Sequence, residues 1–476
     1  MNVVFLCPNV PEPPLNGGHH RNLRLIRSLA RFASVHVFAI GDPRGERAQK
    51  VGAEISASGA RWSVHAPTGP GRLEDDEEST ERRPDAAAHF RSPELADALA
   101  RHVAQRRVDV AHVEEVVMAQ YVDLLPCPRV IDRQKVDWAY HEAMARVVGR
   151  SASALAHLRE AARFRSWERG LVGAFDRMLV PGESDRALLE PLHGPGLVSV
   201  VPIGIGDEVR PPAASTRRVD HVLLYGARDY GPNVDGEAWF FREVWPGLRT
   251  AAPHLKAVVV GSGRPPLGAA RPPSEPSVEV RGFTPDIVSV LQGPGALVVP
   301  VRVGGGARTK VLEALACGMP VVSTSLGVEN LGLVPGRDFL RADTASETIE
   351  AVVRLAGDAD LARSIGCAGA ARAEAFRWRK VETALEPIYR QAASGAYAAA
   401  RAASRQASGP ACTAATSGLI GWTVPPEIAR LQAELTAHER ARPWRPVARA
   451  ARRWRRTRLV RIVEMAITRW LGRRGS

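Results

Sequence analysis

Val298-Val-Pro-Val-Arg-Val-Gly304-Gly305-Gly306-Ala307-Arg308-Thr309-Lys310-Val-Leu-Glu313-Ala-Leu-Ala-Cys317-Gly318-Met-Pro320-Val-Val322 is the stretch on which the reading of this chain turns. An apolar strand runs into three glycines, and a helix opens directly after them. Glycine lets a ligand approach backbone N–H groups closely. The first turn of the helix adds unpaired donors and a partial positive charge, which favours an anion such as phosphate. Arg308 offers a planar fork of donors and Lys310 a mobile point charge. Glu313, one turn further, is repelled by phosphate but suits the hydroxyls of a ribose. Strand, glycine loop, cations and carboxylate in that order describe a nucleotide diphosphate site. On spacing alone the alternative stays open: a glycine turn that starts a helix with Arg and Lys at its surface.

Outward from this segment, short apolar runs alternate with one-sided helical patterns, the mark of parallel sheets with crossover helices. Strands are expected at 3–7, 35–40, 62–66, 108–113, 129–132, 178–181 and 198–203, then at 222–225, 256–260, 278–281 and 296–300. Helices are expected at 22–33, 92–105 and through 136–173, then near 234–249, 285–292, 307–317, 345–356, 359–372 and 378–393. The pattern is α/β, with two Rossmann-like domains: 1–203 and 220–394, joined by a hinge at 204–219. The last helix of the second is expected to return to the first. Residues 67–91, with the acidic run Asp75 to Glu78, read as a solvated insertion, and 395–439 as an Ala/Ser-rich linker. In such sheets ligands bind beyond the carboxyl ends of the strands, so the site is expected in the cleft between the domains.

Composition narrows the classes. The chain of 476 residues is 45% hydrophobic and 24% charged, which excludes a disordered or fibrous protein. Five scattered cysteines form no C-x-x-C pair, so neither a disulfide scaffold nor a zinc site is indicated. No apolar run is long enough to span a bilayer, and the first strand lacks the basic flank of a secretory signal; a cytoplasmic protein is expected. Residues 440–476 carry 13 Arg against Glu464 alone, so nearly all of the formal net charge of +13 belongs to this tail. There Trp444, Trp454 and Trp470 interleave with arginines, and apolar residues recur at helical spacing from Leu459. This basic amphipathic pattern suits an anionic membrane surface better than nucleic acid, which is not expected as a partner; a plain basic tail is the alternative.

Several motifs together resemble those of the two-domain glycosyltransferases of the GT-B fold, family 4 (group 1) type. The run G-G-x-R-x-K-x-x-E-A-x-A-x-G-x-P-V-V from Gly305 is similar to that family's donor-site signature. The start Met1-Asn-Val-Val-Phe-Leu, followed by Pro13-Pro14-Leu-Asn-Gly17-Gly18-His19, resembles its first strand and glycine loop. Val198-Ser-Val-Val-Pro202-Ile203-Gly204 resembles the strand before the hinge, with Ile203 where Asn is usual. Asp229-Tyr230-Gly-Pro232-Asn233 resembles the subset with a D-Y-x-P-N sequence, and Gly261, Gly282 and Phe283 fall where the family holds diphosphate and base. The likeness covers roughly 1–394.

The resemblance implies transfer of a sugar, with retention, from a nucleoside-diphosphate sugar to a glycan or lipid-linked acceptor, with neither metal nor other cofactor. Arg308 and Lys310 match the residues that stabilise the leaving diphosphate. Gly305, Gly306 and Ala307 match the backbone phosphate cradle, and Glu313 matches the ribose ligand. Gly17, Gly18, Gly226, Arg228 and Gly261 would complete the donor site. His112 and Glu114, at the end of the fourth strand, are candidates for the group beside the reacting sugar, and His19 and Asp132 for the acceptor side. A structural histidine and helix caps at Asp132 and Asn233 are the alternative readings. The chain departs from the family at Gly305, where a glutamate is frequent, and in the basic pair after the second domain's first strand, reduced here to Arg228. A nucleotide-sugar epimerase and a non-catalytic binding module of the same fold are the other functions considered. An enzyme peripheral on the inner face of the membrane, in polysaccharide or glycoconjugate synthesis, is the expectation.

Overall fold

The computed structural model describes residues 1–11, 17–68, 84–149, 151–212, 218–265, 272–306 and 308–407. It holds two fully parallel sheets. In the first, β1 (Asn2–Cys7), β2 (Ser34–Ile40), β3 (Arg61–His65), β4 (Val110–Glu114), β5 (Arg129–Asp132), β6 (Arg177–Val180) and β7 (Val198–Val200) lie in the order β3-β2-β1-β4-β5-β6-β7. In the second, β8 (His221–Tyr225), β9 (Lys256–Val260), β10 (Val278–Arg281), β11 (Ala296–Val299), β12 (Val321–Ser323) and β13 (Leu340–Arg341) are ordered β10-β9-β8-β11-β12-β13. Alternate side chains of a strand face opposite sides. Val4 and Leu6 of β1 therefore enter the core on one face, while Val3, Phe5 and Cys7 enter that on the other. Leu223 of β8 is likewise separated from Val222 and Leu224. Where both faces are covered, as at β1 and β11, the strands read as continuous apolar runs, whereas the edge strand β10 is largely exposed.

The structure departs from the sequence expectation in several places. The helices Glu46–Ala57 and Glu183–His193 are additional to those expected, and Asp85–Ala88 forms a short helix at the end of the stretch read as a solvated insertion. The short strands β12 and β13, with three and two residues, are too brief to show a periodicity. The helix expected through 136–173 is two helices, Asp137–Val147 and Ala152–Gly170. Gly149 takes a left-handed φ of 65° between them, and the Ser151 hydroxyl accepts from the Ala154 N–H to start the second. The helix expected near 234–249 is broken by a wider turn at Phe240–Val244, just before Pro246, which has no N–H to offer the regular ladder. Finally, Ala398–Ala407, placed in the linker from its composition, is a helix on the first domain: Arg401 pairs with Asp176 at 2.9 Å and Ser404 is buried. Alanine is the best helix former, and a short Ala-rich amphipathic helix is easily mistaken for a linker.

The helix Leu385–Ala393 also belongs to the first domain, where Leu385, Ile388, Tyr389 and Ala392 share a core with Val3 and Phe5. No helix among the described residues is long and apolar enough to cross a membrane. The acidic run and the basic tail lie outside the described residues.

Candidate functional site

In each sheet, the crossovers diverge at one pair of neighbouring strands, β1 and β4 in the first and β8 and β11 in the second. Loops leaving the carboxyl ends there open a crevice. The two crevices face each other across a cavity of about 860 Å³. Gly17, Gly18, His19, Glu115, Gln134 and Lys135 line it from the first domain. Gly226, Gly261, Phe283, Gly305, Gly306, Arg308, Lys310 and Glu313 line it from the second. The domains touch at glycines: a methyl on Gly17 would overlap the Thr309 hydroxyl, and one on Gly306 the Gln134 carbonyl.

The second domain's wall brings two cationic side chains to the glycine loop. Arg308 donates through Nη1 to the carbonyls of Gly305 and Gly306, the latter at 2.9 Å, which pins it to the glycine loop. Its Nη2 is closed off from solvent and has no protein partner. A buried guanidinium donor left unmet is costly. Lys310 donates from Nζ to Asn233 Oδ1 at 2.9 Å, and Asn233 in turn donates to the Ala227 carbonyl at 2.9 Å. Asn233 therefore rests Lys310 in place instead of capping the helix Gly231–Trp239, which has no side-chain cap. Burial, assisted by Arg308, lowers the Lys310 ammonium to about 7. Glu313 is raised to about 7 by burial, against the Tyr225 hydroxyl hydrogen bond that favours its ionised form.

Arg228 does not join them. It forms a double hydrogen bond with Glu237, at 2.7 and 3.1 Å, and does not line the cavity. The helix Gly231–Trp239 carries Glu237 back beside it, a pairing nine residues apart that no local pattern announces. Gly261 is held so close to Gly226 that a methyl would overlap its carbonyl oxygen. Gly282 accepts from the Gly261 N–H at 3.3 Å and lies outside the lining, whereas Phe283 stands at the rim, 48% exposed. Ala307 lies outside the described residues.

In the first domain, His112, Glu114 and Asp132 are buried beneath the cavity and do not line it. His112 stacks on Phe5 with ring centres 4.0 Å apart; its Nδ1 meets the Tyr389 hydroxyl at 2.5 Å and its Nε2 the Glu114 carboxylate at 3.1 Å. Burial lowers His112 to about 4 and raises Glu114, which also accepts from Gln134 Nε2 at 2.6 Å. Asp132 grips Arg21 with both oxygens, at 2.5 and 2.7 Å.

The residue at the strand end that does reach the cavity is the next one, Glu115. Its φ of 63° with ψ of 151° is a conformation nearly reserved for glycine. Its Oε2 has no partner, and burial raises the carboxyl to about 7. The Glu114-Glu115 doublet marked the place in the sequence but not which of the two faces the cleft. Strain of this kind costs about 1–3 kcal/mol. Glu115→Gly is therefore expected to unfold at a temperature no lower than the wild type in calorimetry while losing activity. Lower stability together with full activity would assign Glu115 to the scaffold alone. Among the described residues, no group of three or more His, Cys, Asp or Glu is placed to hold a metal ion.

Two parallel-sheet domains facing each other across a cleft at the carboxyl ends of their strands define a GT-B architecture. Residues 220–358, the part that carries the glycine loop, match the family model for glycosyl transferases group 1. The fold is similar to that of sucrose-phosphate synthase from Thermosynechococcus elongatus, with a TM-score of 0.60 at 16% identity, over 82% of this chain and 99% of that one. HepE from Anabaena, solved in complex with UDP-glucose, gives 0.55 at 15% identity over 82% and 99%. WaaG, a glycosyltransferase involved in lipopolysaccharide biosynthesis, gives 0.53 at 13% identity over 81% and 99%. Comparison with curated protein sequences gives no match. At these identities the likeness to solved structures establishes the fold.

Proposed function

We propose that the protein is a glycosyltransferase that moves a sugar from a nucleoside-diphosphate sugar, held in the interdomain cleft, to a hydroxyl of a glycan or lipid-linked acceptor. The observation that carries this reading is Arg308, fixed on the glycine loop with a buried donor unmet, on the same wall as Lys310 and Glu313. The family match over the same residues and the UDP-glucose complex of a similarly folded protein support it.

In the reaction, the bond between the anomeric carbon and the diphosphate oxygen breaks, and its electron pair leaves with the diphosphate. The acceptor oxygen bonds to that carbon on the same face, and its proton passes to the departing phosphate oxygen. Negative charge grows on the diphosphate as the bond stretches, and Arg308 and Lys310 meet it there without rearranging. Glu313 holds the ribose hydroxyls. Glu115, on the acceptor domain, offers its free carboxylate oxygen to a sugar hydroxyl. These residues neutralise the diphosphate themselves, so the proposed transfer needs no metal. The basic tail, residues 440–476, would keep the enzyme at an anionic membrane where a lipid-linked acceptor resides.

The test is a thermal-shift screen of the full chain against nucleoside diphosphates and their sugars, in chelator. A ligand that binds only the folded state raises the midpoint. One nucleotide is expected to do so with wild type and not with Arg308→Ala. No shift with any of them would overturn the reading.

Lys310 gives the binding a pH dependence. A diphosphate favours the ammonium form, whereas in the free protein that form is lost as pH rises through about 7. Nucleotide affinity should therefore fall above neutrality, by up to about tenfold per pH unit when only the charged form binds. In Lys310→Arg, always charged, that part of the slope should vanish.

A further inference from the structure

The helix Glu183–His193 of the first domain begins after Gly182, which has no side chain with which to cap it. The cap comes from the other domain. Asn330 Oδ1 accepts from the Ser184 N–H at 3.0 Å, and its Nδ2 donates to Ser184 Oγ at 2.8 Å and to Asp185 Oδ2 at 3.3 Å. Any side chain at 182 would collide with the Asn330 amide. Asn330 itself takes a left-handed φ of 68°, an unusual conformation outside glycine that asparagine tolerates better than most residues.

Asp185 connects this cap to the glycine loop. It is 3% exposed, and its carboxylate lies near the Gly306 N–H and the Arg308 guanidinium, both of which oppose the rise that burial causes. Oδ1 lies 3.8 Å from where a Cβ on Gly305 would sit. Arg308 closes the series by donating to the carbonyls of Gly305 and Gly306. We infer that Asn330 and Asp185 are positioning residues: together they clasp the two domains and fix the glycine loop so that Arg308 is held at the wall of the cleft. Neither touches the cavity, so each acts through the loop. Burial and the nearby Glu329 raise the Asp185 carboxyl to about 7, and the amide of Asn330 and the N–H of Gly306 are the neutral donors that such a buried group requires.

The part of this inference that concerns Arg308 rests on the donor-site reading; the clasp does not, and the experiment separates the two. Amide hydrogen exchange at Ser184 and Gly306 and the affinity for UDP are measured on the full chain. The variants are Asn330→Gly, Asn330→Asp, Asp185→Asn and the double exchange Asn330→Asp with Asp185→Asn. Glycine keeps the backbone of residue 330 unstrained and removes only its side chain, so the variant folds. Asn330→Gly is expected to speed exchange about tenfold or more at both amides, although Gly306 lies in the other domain from the capped helix.

Asn330→Asp sets two carboxylates together and should also weaken UDP binding about tenfold. The double exchange restores an amide–carboxylate pair across the boundary and should recover both readings. A simple helix cap would change Ser184 but leave Gly306 and UDP affinity alone, and that result overturns the inference; so does a double exchange as impaired as the singles. If wild type fails to bind UDP, the donor reading is at fault for this nucleotide, and the exchange of Gly306 still decides the clasp.

Discussion

Arg308→Ala is expected to reduce sugar transfer by about 10²–10³-fold, the usual cost of removing one fixed donor aimed at charge that develops in a transition state. Binding of the nucleotide should weaken as well, because Arg308 meets the diphosphate before the bond breaks. The loss arises at two levels. The direct contact goes, and the carbonyls of Gly305 and Gly306 that Nη1 holds are released, which loosens the loop. Arg308→Lys should rescue little, since an ammonium cannot span two carbonyls and a ligand as the guanidinium does. Steady-state kinetics with the nucleotide sugar identified in the shift screen measures both. Turnover within a few-fold of wild type in the alanine variant would remove Arg308 from the chemistry.

Asp132→Ala is expected to cost about 3–5 kcal/mol of stability, since it leaves a buried guanidinium without its partner. Arg21 is 1% exposed and Asp132 is fully buried; besides the paired carboxylate, Arg21 donates to the Pro202 carbonyl at 3.1 Å. Denaturant unfolding should show a large fall in midpoint at nearly constant slope. Arg21→Met with Asp132→Leu should recover much of it, because a buried ion pair replaced by apolar residues of similar size is often near neutral. A mild loss in Asp132→Ala, with activity abolished, would instead return Asp132 to the acceptor role that its place at a strand end suggests.

What could be read from the sequence is what is local in it. Strands β1, β8 and β11 are runs of apolar residues that no other element explains, and the loop from Gly304 to Lys310 sets its ligands within seven positions. Most of the second domain's wall of the cavity was legible for that reason, as were Gly17, Gly18 and His19 on the first domain's wall. The strand-end residues of the first domain were not, because their side chains are disposed by contacts far apart in the chain. Asp132 meets Arg21 111 residues away and His112 meets Tyr389 277 away, so two polar residues at strand ends are drawn beneath the cleft. Arg228 is taken by Glu237, because a helix folds back over its own loop, and Asn233 by Lys310, 77 residues away. Glu115 could be found only from its backbone angles. The clasp at Asn330 spans 146 residues and two domains, and its one sequence mark, a glycine where a helix should be capped, has meaning only with the partner in view.

On the proposed function, this cleft holds a nucleoside diphosphate through Arg308 and Lys310. Calorimetric titration of the full chain with UDP and with UDP-glucose, in chelator at pH 6.5, tests it most directly, beside Arg308→Ala and Lys310→Ala. One site per chain is expected, with heat abolished or affinity lowered at least about tenfold in both variants. Binding of equal strength in wild type and in both variants would place the nucleotide elsewhere and contradict the account.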